Sequence, residues 1–190
     1  MMYQIHDVDD ILDRLNARSA DGGREPCTSP DRWHIVKHSM NDLLATCTHQ
    51  IWYHPLADEV DPQPFFHLQN LPMNQTFLIV PSTIASPQEI AARINNLCGN
   101  SSTCLLIPGQ QFDISGTRHG RGGGWYDRLL SRLNAAYHRI GVGRQDNLSS
   151  TSLLRAPWDE PMDWLLLQAE NHWITYKTGA RDGGSDADGI

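Results

Sequence analysis

Apolar residues fall along this chain in short blocks whose spacing changes from block to block. From Val8 to Arg18 they recur as Val8, Ile11, Leu12 and Leu15, with acids in the first turn, and this predicts a short helix. Ser19 to Pro30 is rich in Gly, Pro and Ser and reads as a loop. Asp31 is placed to cap a second helix through about Cys47, because Trp33, Val36, Met40, Leu43, Leu44 and Cys47 share one face. His54 to Pro72 carries Pro55, Pro62, Pro64 and Pro72, which predicts irregular or short extended structure.

Beyond that region the blocks become regular. Phe77-Leu78-Ile79-Val80 reads as a buried strand. Ser86-Pro87-Gln88-Glu89 is a helix start with Pro in the first turn, followed by Ile90, Ile94 and Leu97 on one face. Cys104 to Ile107 is the next strand. Trp125 to Tyr137 follows as a helix with Tyr126, Leu130, Leu133 and Tyr137 on one side. Arg139 to Val142, Trp164 to Leu167 and His172 to Lys177 complete the strands. Strands alternating with helices predict a mostly parallel sheet covered on both faces. The length suits one α/β domain over 1–178, with a helical part at about 5–50 and a nucleotide-binding core at about 75–178. Residues 179–190, rich in Gly, Asp and Ser, are expected to be disordered.

Composition narrows the function classes. A net charge of −7 argues against a general nucleic-acid or membrane-surface role, since both need a basic footprint. Lys37 and Lys177 are the only lysines, so positive charge is carried by arginine. Cys27, Cys47, Cys98 and Cys104 form no CxxC pair and read as reduced thiols of a cytoplasmic protein. Neither a signal peptide nor a membrane-spanning run is visible. His34 and His38 lie at i, i+4, but without an intervening metalloprotease-type glutamate they read as a solvated or core pair.

The candidate chemistry sits between Arg118 and Arg128. Gly120, Gly122, Gly123 and Gly124 stand beside Arg118, Arg121 and Arg128, after one strand and before a helix. Glycines there let main-chain N–H groups approach an anion closely, and arginine adds a planar charged fork suited to phosphate. The loop is not a Walker A sequence, because no Gly-Lys-Ser/Thr follows, and its spacing is a poor dinucleotide fingerprint.

The flanks make the loop specific. Pro108-Gly109-Gln110-Gln111-Phe112-Asp113 precedes it. Ile140-Gly141-Val142 and Trp158-Asp159-Glu160-Pro161-Met162-Asp163 follow. In this order, from about Leu105 to Gln168, the segments resemble the signature of the 5-formyltetrahydrofolate cyclo-ligase (methenyltetrahydrofolate synthetase) family. The resemblance implies a three-layer αβα sandwich of the NagB/RpiA/CoA-transferase type. It implies ATP as cosubstrate, Mg2+ and a folate substrate. The formyl oxygen takes the γ-phosphoryl group, a folate nitrogen attacks the activated carbon, and phosphate leaves 5,10-methenyltetrahydrofolate. No protein, membrane or nucleic-acid partner is implied.

On that resemblance Arg118, Asp127 and Arg128 are the catalytic candidates and Asp127 the Mg2+ ligand. Gly120, Gly122, Gly123 and Gly124 would present N–H groups to phosphate, and Trp125 or Tyr126 would stack on a flat ring. Simpler roles compete: Asp127 as partner of a helix dipole, Arg128 solvated, Tyr126 as packing, Arg121 exposed, and Asp113 and Asp163 holding turns. The sequence departs from the family at His119 for leucine, Trp125 for tyrosine and Trp158 for histidine. The family's phosphate-contacting Lys, with an Arg four residues on, is met by Arg14 and Arg18. Where the family holds folate, His54 to Met73 offers Phe65, Phe66 and His67 as ring-packing groups. Two other readings fit the same loop: a non-catalytic nucleotide- or phosphate-metabolite-binding module, and a sugar-phosphate isomerase-like enzyme.

Overall fold

The computed structural model describes residues 39–81 and 85–181. The predicted helix at Val8 to Arg18, with Arg14 and Arg18, lies outside the described residues, as do Cys27, His34, His38 and 182–190 of the tail. The helix expected from Asp31 to Cys47 needs correction. Ser39 is extended, with φ −77° and ψ 164°, so a helix cannot run through it. Its hydroxyl accepts the Asp42 N–H while the Asp42 carboxylate accepts the Ser39 N–H, and this capping box starts α1 at Met40–Thr46.

β1 (His49–Tyr53) follows directly and has no counterpart in the sequence reading. Gln50 to Tyr53 are all buried, so the alternation that marks a half-exposed strand is missing. α2 (Gln63–Leu68) replaces the expected irregular stretch. Its prolines sit in the first turn, where a missing N–H costs nothing, so they mark a helix start rather than a breaker. β2 (Gln75–Ile79) and α3 (Pro87–Cys98) fall on the expected blocks, and Ser86 and Glu89 form a second capping box, but the strand expected to be buried lies at the sheet edge, where only Ile79 is buried and Leu78 and Val80 are exposed. Ile90, Ala91, Ile94 and Cys98 make the buried face of α3, whereas Leu97 is 52% exposed and does not belong to it.

β3 (Thr103–Pro108) is wholly buried. A two-stranded ribbon, β4 (Gln111–Phe112) with β5 (Arg118–His119), then rises before α4 (Trp125–Leu130). α4 stops at Leu130 instead of reaching Tyr137. Asn95 donates to Arg132 O and accepts from Asn134 N, while the Asn134 side chain bonds Gly99 O and Ala136 N. These side-chain bonds hold the backbone in turns, yet Leu133 and Tyr137 still enter the core. β6 (His138–Arg144), β7 (Trp164–Gln168) and β8 (Trp173–Lys177) complete the chain.

The sheet runs β2-β1-β3-β6-β7-β8, parallel except for antiparallel β8. Successive residues of one strand enter opposite cores. Leu105, Ile107, Leu165 and Leu167 pack with α3 and α4, while Cys104, Leu106, Trp164 and Leu166 pack with α1 and α2. The result is the expected αβα sandwich, but its sheet begins at His49, well before the expected core boundary. Phe65 and Phe66 are buried in the second core, beside Trp52 and Trp173, so neither is available to a ligand ring. The chain runs outward from β1 to β2 and returns across β1 to β3. That reversal opens a crevice above the carboxyl ends of β1 and β3, where open α/β sheets bind ligands.

Asp113 fixes the ribbon over the sheet. One carboxylate oxygen accepts from Ser115 N, Ser115 Oγ and Thr117 N, and the other accepts from Leu153 N at 2.8 Å. Burial alone would raise this carboxyl, but the bonds from Leu153, Ser115 and Thr117 together outweigh it and hold it below the ordinary carboxylate value. A depressed folded-state pKa contributes stability above the unfolded value, about 3.9, and that stability is lost as pH falls through the folded value. Asp113→Asn is therefore expected to cost about 2 kcal/mol at neutral pH. In urea unfolding curves the gap from the parent should close progressively below about pH 4.

Candidate functional site

A cleft of about 780 Å3 occupies the crevice. Its walls come from the segments after β1, β2, β3 and β6, with the glycine loop crossing between them. Arg118 is the deepest charged group, its side chain 3% exposed. β5 carries it into the protein, and its Nη2 donates to both Asp127 oxygens at 3.2 and 3.1 Å. Nη1 reaches the Pro108 carbonyl at 3.4 Å, and Nε has no partner. The guanidinium thus joins the end of β3 to the first turn of α4. It lies 5.5 Å from the Tyr126 ring centroid, a cation–π distance. A Cβ on Gly120 would come within 2.6 Å of Nη1, so this glycine keeps the space that the guanidinium fills.

The loop beyond is shaped by Gly122 at φ 82° and Gly124 at φ 58°, left-handed conformations that glycine adopts freely. The N–H groups of Gly122, Gly123 and Gly124 donate to no partner among the described residues. α4 has only six residues, so anion capacity here rests on loop N–H groups and guanidinium rather than on a long helix dipole. Trp125 and Tyr126 both line the cleft, ring centroids 5.2 Å apart. The Trp125 Nε1 is a second buried donor without a partner. Tyr126 also packs against the core, as its apolar helix face implies.

Arg128 is placed differently from its neighbours. It is absent from the cleft wall, and its Nη1 donates to Gly123 O at 2.9 Å, bracing the loop from behind. Arg121 points across the cleft to Asp58, with which it forms a close ion pair, and to Glu59 at 3.7 Å. The downstream acids divide. Asp163 holds Arg139 N and the Arg181 guanidinium away from the cleft, whereas Asp159 lines it. Burial first, and the Glu59 charge second, raise the phenol pKa values of Tyr53 and Tyr126, so both remain protonated donors.

The sequence model of the 5-formyltetrahydrofolate cyclo-ligase family matches residues 55–167 of this chain. The chain belongs to the 5-formyltetrahydrofolate cyclo-ligase family. A curated relative, 5-formyltetrahydrofolate cyclo-ligase of Mycoplasma pneumoniae, is 30% identical over 116 residues, covering 60% of this chain and 69% of its own length. Solved structures of two 5,10-methenyltetrahydrofolate synthetases are also similar. The Mycoplasma pneumoniae structure has a TM-score of 0.44 and 22% identity over 64% of this chain and 73% of its own. That of Aquifex aeolicus has a TM-score of 0.46 and 18% identity over 95% and 96%.

The donor set of this cyclo-ligase family member can be tested against the groups such chemistry uses. Unpartnered donors at Arg118 Nε and the loop N–H groups suit phosphate oxygens. Among the described residues no three His, Cys, Asp or Glu side chains converge. Mg2+ usually takes one or two carboxylates and fills its shell with phosphate and water. Asp127 retains accepting capacity, since both its oxygens share one guanidinium nitrogen and only Oδ1 takes a further, long bond from Glu160 N at 3.4 Å.

Sequence reasoning missed the acidic wall, Asp58 and Glu59, because it missed β1. A strand read at Ile51-Trp52-Tyr53 would have put those acids at a carboxyl end, where ligands collect. Arg144 and Asn147 were missed for a different reason. They enter the cleft from the end of β6 and the 3-10 turn that follows it, and no local motif announces that, whereas Trp158 lies in the signature and was read there only as a departure from the family's histidine.

Proposed function

We propose that this chain catalyses the ATP- and Mg2+-dependent closure of 5-formyltetrahydrofolate to 5,10-methenyltetrahydrofolate. The observation that supports the reading is the meeting, in one cleft of a family member, of Arg118, Asp127 and the glycine loop with the acidic wall at Asp58 and Glu59, to which Arg121 of the loop is paired. Phosphoryl transfer of this kind needs charge neutralisation and in-line positioning more than a protein nucleophile. The formyl oxygen attacks the γ-phosphorus and the bond to the bridging β–γ oxygen breaks, releasing ADP. A folate N–H nitrogen then attacks the formyl carbon, the C–O bond breaks so that the former formyl oxygen leaves with inorganic phosphate, and the nitrogen's proton passes to that phosphate.

Arg118 Nε and the N–H groups from Gly122 to Gly124 would hold the phosphate oxygens, and Asp127 would hold Mg2+, whose charge would lower the repulsion between γ-phosphate and attacking oxygen. Glu59 offers a carboxylate to the N–H groups of a reduced pterin, and Trp125 supplies an aromatic face. Arg128 acts indirectly, by bracing the loop at Gly123. The buried free thiols Cys47, Cys98 and Cys104 fit a reducing, cytoplasmic setting.

The test is direct. Full-length protein mixed with 5-formyltetrahydrofolate and Mg-ATP is expected to give rising methenyl absorbance, saturable in both substrates and abolished by EDTA. Saturable Mg-ATP binding without turnover would favour a nucleotide-binding module. Neither, with thermal stabilisation by sugar phosphates, would favour an isomerase-like role.

A further inference from the structure

The cleft has two arms. On the β1 and β2 side stand Leu56, Asp58, Glu59 and Val80. On the β6 side stand Arg144, Asn147 and Trp158. In the sheet order β1 and β6 are separated by β3, which puts the arms roughly 10 Å apart at ordinary strand spacing. The glycine loop, reached from β3, lies between them.

Trp158 is 73% exposed, an unusual position for the largest apolar side chain. Its backbone is nonetheless fixed. Asp159 N donates to Ala156 O at 3.0 Å and Ala156 N donates to an Asp159 oxygen at 2.8 Å, so the ring projects from a closed turn. Asn147 is held by accepting Arg144 N at 2.7 Å through Oδ1, and its Nδ2 makes no hydrogen bond among the described residues. Gly143 admits this arrangement, since a Cβ there would meet Asn147 Oδ1 at 3.2 Å and Phe112 at 2.7 Å. The Arg144 guanidinium forms no ion pair among the described residues.

We propose that the β6 arm is a nucleobase subsite in which Trp158 stacks on the purine and Asn147 pairs with its edge, so that Trp158 and Asn147 set nucleotide specificity. The inference rests on the ATP-dependent reading above and assigns its two substrates to separate arms. An aromatic face and a free amide donor lining one cleft suit a base, since stacking tolerates any base and the donor selects an edge that accepts. Arg144 adds a positive charge on the way to the glycine loop, whereas in the β1 arm Arg121 is already committed to Asp58 and Glu59, which leaves carboxylate oxygens for an N–H-rich uncharged ring rather than a cation for a polyphosphate.

The experiment is calorimetric titration of full-length parent, Trp158→Ala and Asn147→Asp with Mg-ATP, Mg-tripolyphosphate and 5-formyltetrahydrofolate, beside steady-state kinetics. Trp158→Ala removes an exposed ring and should leave the thermal midpoint unchanged. It is expected to weaken Mg-ATP binding about tenfold, with tripolyphosphate and folate binding unchanged. Asn147→Asp keeps the oxygen that accepts Arg144 N and replaces only the donating amide, so it should reduce the preference for ATP, whose N1 accepts, over GTP, whose N1–H donates. In kinetics KM for ATP rises while kcat holds. If the parent binds Mg-ATP and Trp158→Ala binds it equally well, the subsite is wrong and the ATP-dependent reading survives. Weakened folate binding with unchanged ATP binding would reverse the arms and overturn the assignment. If the parent binds no Mg-ATP, both readings fall together.

Discussion

Arg118→Ala is expected to lower kcat/KM for the cyclo-ligase reaction by about 100-fold or more, the scale for losing one preorganised charge-stabilising group. The side chain is 3% exposed and its Nε has no partner, while Nη2 and Nη1 are committed to Asp127 and Pro108. Truncation removes the donor that phosphate would meet and leaves Asp127, 14% exposed, without its counter-charge. Removing one partner of a buried pair typically costs 3–5 kcal/mol, and the partial exposure of Asp127 points to the lower end, about 3 kcal/mol. Arg118→Lys separates the two effects. A single ammonium keeps the charge but cannot serve Asp127, Pro108 and phosphate together, so stability should largely return while kcat/KM stays depressed. Rates from methenyl absorbance and midpoints from urea unfolding measure both. Full activity in a folded Arg118→Ala protein would remove this arginine from the chemistry.

Arg118 also shows what the sequence could and could not disclose. Its place in a glycine-rich signature was legible because the signature is local, lying between two recognisable elements. Its pairing with Asp127 was not, since nothing in the spacing tells whether two neighbouring site groups face a ligand or each other. The acidic wall at Asp58 and Glu59 depended on β1, and a strand buried on both faces lacks the alternation that identifies strands. The prolines at 62 and 64 misled for the opposite reason. They are breakers inside a helix but welcome in its first turn, and only the packing of Phe65 and Phe66 reveals which case holds. Strands flanked by clear turns, such as β3 and β7, were legible because their apolar runs are short and bounded.

The second large effect is expected far from any ligand, at Gly141. Phe112 is fully buried and anchors the ribbon that carries Arg118, and its ring lies over β6 where Gly141 and Gly143 offer no side chains. A Cβ at Gly141 would fall 2.5 Å from the Phe112 ring, 3.0 Å from Met162 Cγ and 3.1 Å from Leu165 Cδ2. The β6 backbone is pinned there by parallel pairing to β3 and β7, so it cannot retreat, and the ring must move. Overpacking a well-filled core by one methyl typically costs 1–3 kcal/mol, and one clash with two tight contacts beside it places Gly141→Ala at the upper end, about 3 kcal/mol. Displacing Phe112 also shifts β4 against β5, so activity should fall in the fraction that remains folded. Phe112→Ala alone should cost about 3–5 kcal/mol through the cavity it leaves. In the double variant the new methyl enters that cavity, and the combined loss should be smaller than the sum by about 1–3 kcal/mol. Urea unfolding of the four proteins closes the cycle. Strict additivity would mean that Phe112 does not depend on the glycines of β6, and that the ribbon is held in place chiefly by the Asp113 bonds to Ser115, Thr117 and Leu153.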